Sequence, residues 1–341
     1  MVNLVHFKEE KKMSNLITFH EDFNLTFGVE VEVTTTNITR EELSSYLKEK
    51  NVEVTSTRSY THEITKGYKV VTDSTVSGFE VVSPILKGEE GLKSMERMVD
   101  ALKEHPNVSV DRHCGVHVHF GISEKDENGN WKESLPLEKI KNAINLYVKH
   151  EETICKTHAP SRRYNGRGFN VPVTQGYDTD WNGIIKQTQN LIRKVNKARN
   201  LNGVQRIFDY HSRTINMDSF FRQGTIEFRA HQGSTDSEKI RNWIVFLSRL
   251  FTAKKKASAT FGPRFKKSQA WRFRSAFYKF IDKDKNLLKY YSQRAVDFGF
   301  DWAQNVTPSY SQTKDNQFLQ DAGDTQLLAG ILPSQGGMSN D

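Results

Sequence analysis

The chain has 341 residues, 36% hydrophobic and 26% charged, with a formal charge of +8 and a sequence pI near 9.2. Its two cysteines, Cys114 and Cys155, are too few for a disulfide framework, and no apolar run reaches the roughly 18 residues of a membrane-spanning helix. A basic balance favours anionic partners: nucleotide phosphates, acidic peptides or nucleic acid. The start, MVNLVHFKEEKK, has no signal-peptide core, and Met13 offers an alternative start. With so few cysteines, the expected location is the reducing cytoplasm.

Residues 1–23 read as a polar leader. Residues 24–36 alternate through Val29, Glu30, Val31, Glu32 and Val33, the period of a strand with one apolar and one charged face. Thr39 with Glu42 in capping-box position predicts a helix over 39–49. Strands are expected at 51–56, 67–72 and 78–83, the last ended by Pro84. Leu92, Met95, Met98, Val99 and Leu102 have helical spacing, which predicts a helix over 89–104. Residues 113–121 alternate as a strand, 123–134 read as a polar loop, and 137–155 as an amphipathic helix. A long loop over 157–182 precedes a helix at 183–198, strands at 213–217 and 224–230, and a helix capped by Asp236 that runs to about 252.

From Lys239 to Phe280 there are twelve Lys or Arg and no acid, interleaved with Phe251, Phe261, Phe265, Trp271, Phe273, Phe277 and Tyr278. The chain thus divides into the leader, a catalytic domain over 24–252, a basic aromatic-rich helical extension over 253–302, and a disordered tail over 303–341. Alternating strands argue for an antiparallel sheet with one polar face, an α+β arrangement.

Four strand-like segments carry chemistry. In Gly28-Val-Glu30-Val-Glu32 the two carboxylates share a face and repel unless a cation intervenes. Glu80 lies within the apolar run of Gly78-Phe-Glu80-Val-Val-Ser83, a costly place unless it is paired or metal-bound; Asp73 precedes it in a turn. His117 and His119 face one side of Cys114-Gly115-Val116-His117-Val118-His119, whereas Cys114 has the opposite parity, which weakens a zinc site. In Arg222-Gln-Gly224-Thr-Ile-Glu227-Phe-Arg229, a carboxylate and a guanidinium share a face, a pairing that serves metal and phosphate. Arg162 and Arg163 open the long loop in Ser161-Arg-Arg-Tyr164-Asn165. Each signal has an ordinary alternative: a solvated strand face, an edge glutamate, surface histidines or a simple ion pair. One site on one sheet face accounts for all of them.

The ordered set FGVEVEV, GFEVVSP, CGVHVHFG, SRRYN and GTIEFR resembles the amidoligase family of the glutamine synthetase-like carboxylate–amine ligase superfamily, over roughly residues 24–250. The resemblance implies a glutamine synthetase-like curved antiparallel sheet with helices packed on one side. It implies ATP and Mg2+ or Mn2+ on the open face. Glu30, Glu32, Glu80, His117 and Glu227 would then be metal ligands. His117, Arg222, Arg229, Arg162 and Arg163 would contact nucleotide or phosphate. His119 and Arg163 would contact substrate. Arg229 would stabilise the transferred phosphate, with Glu80 or Asp73 as proton acceptor.

The expected reaction is ATP-dependent ligation of a small-molecule or peptide carboxylate to an amine through an acyl phosphate. Oligomeric state has no signature in the sequence. The alternatives are a nucleic-acid-binding protein that uses the basic aromatic stretch 239–280, and a zinc-dependent hydrolase built on His117 and His119.

Overall fold

A computed structural model describes residues 17–55, 63–129, 131–163, 171–174, 180–208 and 212–306. The strands among them are β1 (Thr26–Thr35), β2 (Lys69–Thr72), β3 (Gly78–Val82), β4 (Leu86–Lys87), β5 (Val108–Ser109), β6 (Gly115–Gly121), β7 (Ser123–Lys125), β8 (Trp131–Glu133), β9 (Ile215–Asn216) and β10 (Thr225–Gln232). The main sheet runs β2-β3-β1-β6-β10-β9, every pairing between its strands is antiparallel, and β4 and β5 attach to β1. With its helices this is an α+β fold.

The period-two pattern sorts the two faces. Val29, Val31 and Val33 of β1 are at most 1% exposed; Val29 sits in register with Val118 and Val31 with Val81 and Val116, all fully buried, while Val33 pairs with the half-buried Phe79. Burial of one valine is worth roughly 1.5–3 kcal/mol, so a one-residue slip would expose the whole set and is strongly disfavoured.

The helices are α1 (Arg40–Glu49), α2 (Gly88–Glu104), α3 (Leu137–Cys155), α4 (Trp181–Lys197), α5 (Leu201–Gln205), α6 (Phe220–Gln223), α7 (Ser237–Thr252), α8 (Pro263–Lys267), α9 (Gln269–Arg274) and α10 (Lys285–Asp297). Thr39 and Glu42 form the expected reciprocal capping box of α1, and Asp236 Oδ1 caps α7 by accepting from Lys239 N at 3.1 Å. Leu92, Met95, Met98, Val99 and Leu102 of α2 are all fully buried, in one cluster with the sheet valines and with α7. Arg241 of α7, 1% exposed, holds Glu96 at 3.0 Å, Glu89, and the Ile17 carbonyl at 2.8 Å. Ile17 is itself buried, so residues 17–23 pack on the core where the sequence suggests a loose leader.

Two further differences have local causes. The expected loop 123–134 contains the β7–β8 hairpin, anchored where Ile122 N and Ser123 N both donate to Gly224 O at 3.0 Å. Its two three-residue strands are too short for a period to register. The expected strand 51–56 is reduced, over its described residues, to a parallel bridge between Val54 and Tyr68. The aromatics of the basic stretch are core: Phe251, Phe261, Phe265, Phe273, Phe277 and Tyr278 are buried and Trp271 is partly so. Buried in this way, these rings leave little surface for stacking bases. Residues 1–16, Tyr164, Asn165 and the tail from 307 onward lie outside the described residues.

β3 approaches β1 so closely at Gly78 that a Cβ there would stand 2.2 Å from Val33 O and 2.8 Å from Thr34 Cα. Gly78→Ala is therefore expected to cost about 2 kcal/mol in urea unfolding, within the usual range for overpacking. Gly262→Ala, where a Cβ meets nothing within 4 Å, should stay within about 0.5 kcal/mol of the wild type. Equal midpoints for the two variants would contradict the register.

Candidate functional site

Sheet register gathers the functional side chains. Glu30 stands opposite His117 on β6, Glu32 opposite Glu80 on β3, and Glu227 of β10 opposite His119 of β6. All lie on the face away from the valines. His117 Nδ1 is 3.1 Å from Glu30 Oε2 and 3.6 Å from Glu227 Oε1, and its Nε2 is 3.6 Å from Glu32 Oε1. His119 Nε2 is 3.2 Å from Glu30 Oε1 and 3.9 Å from Glu227 Oε1. It is buried, and neither contact has hydrogen-bond geometry. Arg229 Nη1 donates to Glu227 Oε1, while its buried Nε has no hydrogen-bond partner.

A β-bulge determines how far this face extends along β10. Phe228 pairs with Val118 but His231 pairs with Val116, so β10 carries one extra residue between them. Arg229 stays with Glu227 on the polar face. His231, which strict alternation would place there too, turns instead into the core against Trp243 and His158.

Three groups of side chains offer ligand atoms within 4.8 Å of one another: Glu30, His119 and Glu227; Glu30, Glu80 and His117; Glu32, Asp73 and Glu80. Glu30 and Glu80 each belong to two groups, so the groups form a continuous line. Oxygen donors with one imidazole at each of two positions suit a hard or borderline divalent cation. Burial would raise the Glu30 carboxyl, but His119 and His117 outweigh it and hold it well below the usual range. Burial and then the Glu30, Glu32 and Asp73 carboxylates push Glu80 well above that range. Burial works against a charged His119, yet Glu30 and Glu227 raise it. Glu227 is lowered, because Arg229 and His119 overcome its burial. Crowding that pushes one carboxyl well above its usual range fits a site built for cations.

The other expected residues are placed as follows. Asp73 Oδ1 accepts from Thr75 N and Thr75 Oγ1, both at 2.6 Å, which aligns it with Glu32 and Glu80. Arg162, 5% exposed, donates to the His113 carbonyl at 2.7 Å and to the Cys114 carbonyl. Its guanidinium lies 3.4 Å from where a Gly115 Cβ would be, beside Glu32 and His117. Arg163 is turned elsewhere: it donates to the His158 carbonyl at 2.9 Å and stacks on Phe298 and Phe300. Arg222 lies at a cleft of about 620 Å³ lined also by Gly28, Glu30, Lys69, His119 and Trp131. Cys114 lies apart from both histidines, its Sγ 3.5 Å from Asp111, and burial raises its thiol to about 12.

Three participants escape the sequence reading. Asn216 donates to Glu227 Oε2 at 2.6 Å from the neighbouring strand β9. Lys69, 4% exposed, donates to Glu63 O at 2.7 Å; burial pulls its ammonium below the usual lysine range, an effect that Glu30 and Glu80 partly oppose. Gly115 contributes by lacking a side chain: a Cβ would stand 2.9 Å from His117 Nε2, and its N–H donates to Glu32 Oε2 at 2.5 Å. The first two depend on strand register, which no single segment encodes.

Glu80→Gln tests the crowding. A carboxyl whose folded value is raised favours the fold below its unfolded value, near 4.5, and loses that contribution as pH rises through the folded value. In EDTA at neutral pH the variant should therefore melt a few degrees above the wild type, and the gap should close as the pH falls below about 4.5. Scanning calorimetry across pH measures this. A variant no more stable than the wild type at neutral pH would contradict the crowding.

No curated protein matches the chain. Among solved structures, a bifunctional glutathione synthetase from Pasteurella multocida aligns at 12% identity and a TM-score of 0.35, covering 96% of this chain and 53% of that one. The chain therefore spans about half the length of that neighbour. A family described as "Putative amidoligase enzyme" matches residues 24–251, which include β1, β3, β6 and β10 with every glutamate and histidine of the polar face. The chain belongs to that amidoligase family.

Proposed function

We propose that the protein is an ATP-dependent carboxylate–amine ligase, working on a glutamine synthetase-like sheet with Mg2+ or Mn2+. The observation that carries this reading is the line of Glu32, Asp73, Glu80, Glu30, His117, His119 and Glu227 ending beside Arg229. Membership of an amidoligase family supports it. Glu30, Glu80 and His117 would hold one cation, and Glu30, His119 and Glu227 another; Glu32 and Asp73 extend the set. Cations there would neutralise phosphoryl oxygens.

The chemistry asks specific work of the residues. A carboxylate is a poor acylating agent because oxide is a poor leaving group. Transfer of the ATP γ-phosphoryl to a carboxylate oxygen gives an acyl phosphate and ADP. The amine nitrogen then bonds to the acyl carbon, the C–O bond breaks, and phosphate leaves. Arg229 is positioned by Glu227 through Nη1, and its buried, unpartnered Nε faces no protein acceptor. Its remaining donors suit phosphoryl oxygens as charge moves between them. Glu80 or Asp73 accepts the amine proton. Asp73 Oδ1 already accepts from Thr75 N and Oγ1, and Glu80, raised above the usual carboxylate range, is the stronger acceptor once ionised. The cleft beside Glu30 and His119 admits the acceptor, and its volume of about 620 Å³ suits a small molecule or a short peptide. Arg222 and Lys69 on its walls suit an anionic group.

A screen for ATP-dependent phosphate release against paired acids and amines tests the reaction. Once a pair is found, Arg229→Lys should lower kcat about a hundredfold while the KM for ATP moves little, because lysine keeps the charge but loses the fixed fork. A kcat within about threefold of wild type would place Arg229 outside the chemistry.

A further inference from the structure

The helix side of the molecule carries a surface of one charge sign. From Trp181 to Arg206 the sequence has six Lys or Arg and no acid, and from Lys239 to Phe280 twelve and none. On α4 the buried residues Ile185, Thr188, Ile192 and Val195 form one side. Lys186, Arg193 and Lys197, seven and four residues apart, fall on a single exposed stripe, about 16 Å long at about 1.5 Å per residue.

The segment 254–267 lies alongside. Its backbone carbonyls bind the helices: Ala259 O accepts from Gln189 at 3.0 Å, Lys266 O from Trp181 at 2.9 Å, Lys255 O from Asn142 at 3.0 Å and Ser258 O from Lys149 at 2.7 Å. With the backbone turned inward, Lys254, Lys255, Lys256, Arg264, Lys266 and Lys267 are all exposed. The acids of α3 and the α4 cap have partners of their own, although Glu138 also lies near Lys256. Asp180 caps α4 through Gly183 N at 2.7 Å, Glu138 pairs with Lys141 at 2.8 Å, Glu152 pairs with Lys156 at 2.5 Å, and Glu151 is buried against Thr174 and Thr214.

Two absences among the described residues narrow the partner. The exposed large apolar side chains are Ile64, Ile85 and Phe221, none of them on α4 or in 254–267. Membrane-surface helices need such anchors. Most aromatics of the basic stretch are buried, with Trp271 half-buried, so little ring surface remains for stacking on unpaired bases. Cations without anchors or rings fit a regular array of phosphates. A duplex presents one charge per roughly 1.7 Å of axis, or about nine along the α4 stripe. We propose that the face formed by α4 and residues 254–267 binds double-stranded nucleic acid through its phosphates, without reading bases.

Fluorescence anisotropy of the full chain with a labelled mixed-sequence duplex tests this, with phosphatidylserine vesicles as a second arm. The expected affinity is micromolar at about 50 mM salt and about a thousandfold weaker at about 200 mM, as for six phosphate contacts. Lys186→Glu with Arg193→Glu and Lys197→Glu should weaken duplex binding at least tenfold and flatten the salt slope. Lys254→Glu with Lys255→Glu and Lys256→Glu should do the same, so either variant suffices if the other fails to fold. Lys103→Glu with Lys289→Glu, exposed residues elsewhere, should have little effect. No duplex binding at low salt, equal loss in the control, undiminished binding by a folded face variant, or binding to vesicles alone would each overturn the proposal.

Discussion

Glu30, Glu32, Glu80 and Glu227 share one largely buried sheet face, and their repulsion governs what surrounds them. Two unit charges about 4 Å apart at an effective dielectric near 20 interact by about 4 kcal/mol. A whole domain is stable by only about 5–15 kcal/mol, so such a set persists only with compensation. The histidines supply part of it, His119 being raised by Glu30 and Glu227 and so favouring its cationic form. Arg229 and Lys69 supply more. Glu80 is instead pushed well above the usual carboxylate range, first by burial and then by its carboxylate neighbours. A divalent cation held by the carboxylates would take over much of this compensation, with release of protons.

The surrounding fold holds the crowd in place. The valines beneath it lock the register, and register decides which carboxylate meets which histidine. Gly115 leaves room for His117, Glu32 and Arg162 to converge. The bulge in β10 keeps Arg229 beside Glu227 and sends His231 into the core. In the reading proposed here, these features serve phosphoryl transfer by fixing donors before charge moves.

Much of this was legible one segment at a time. The alternation of Val and Glu in β1 gave both the strand and the shared face, and Thr39 with Glu42 gave a helix start that the structure reproduces. His117 and His119 shared a parity that excluded Cys114, which the structure places beside Asp111. Relations across strands were hidden. Asn216 reaches Glu227, and Lys69 lies beside Glu30 and Glu80, only because particular strands pair in a particular register. The paired arginines illustrate a second limit. Arg162 and Arg163 are adjacent in sequence and alike in charge, yet one lies under Gly115 and the other stacks on Phe298 and Phe300. In the basic stretch, composition alone leaves a stacking surface open as an alternative to core rings, and the structure turns most of the rings inward.

The central claim is that the carboxylate face exists to hold cations for a nucleotide. Calorimetric titration of ATP into the protein, in magnesium and again in EDTA, addresses it most directly. The account predicts binding about a hundredfold weaker in EDTA, toward the upper end of typical coupling between sites, because the four glutamates then repel the triphosphate. Glu30→Gln should narrow that difference. Equal affinity with and without the metal would contradict the claim.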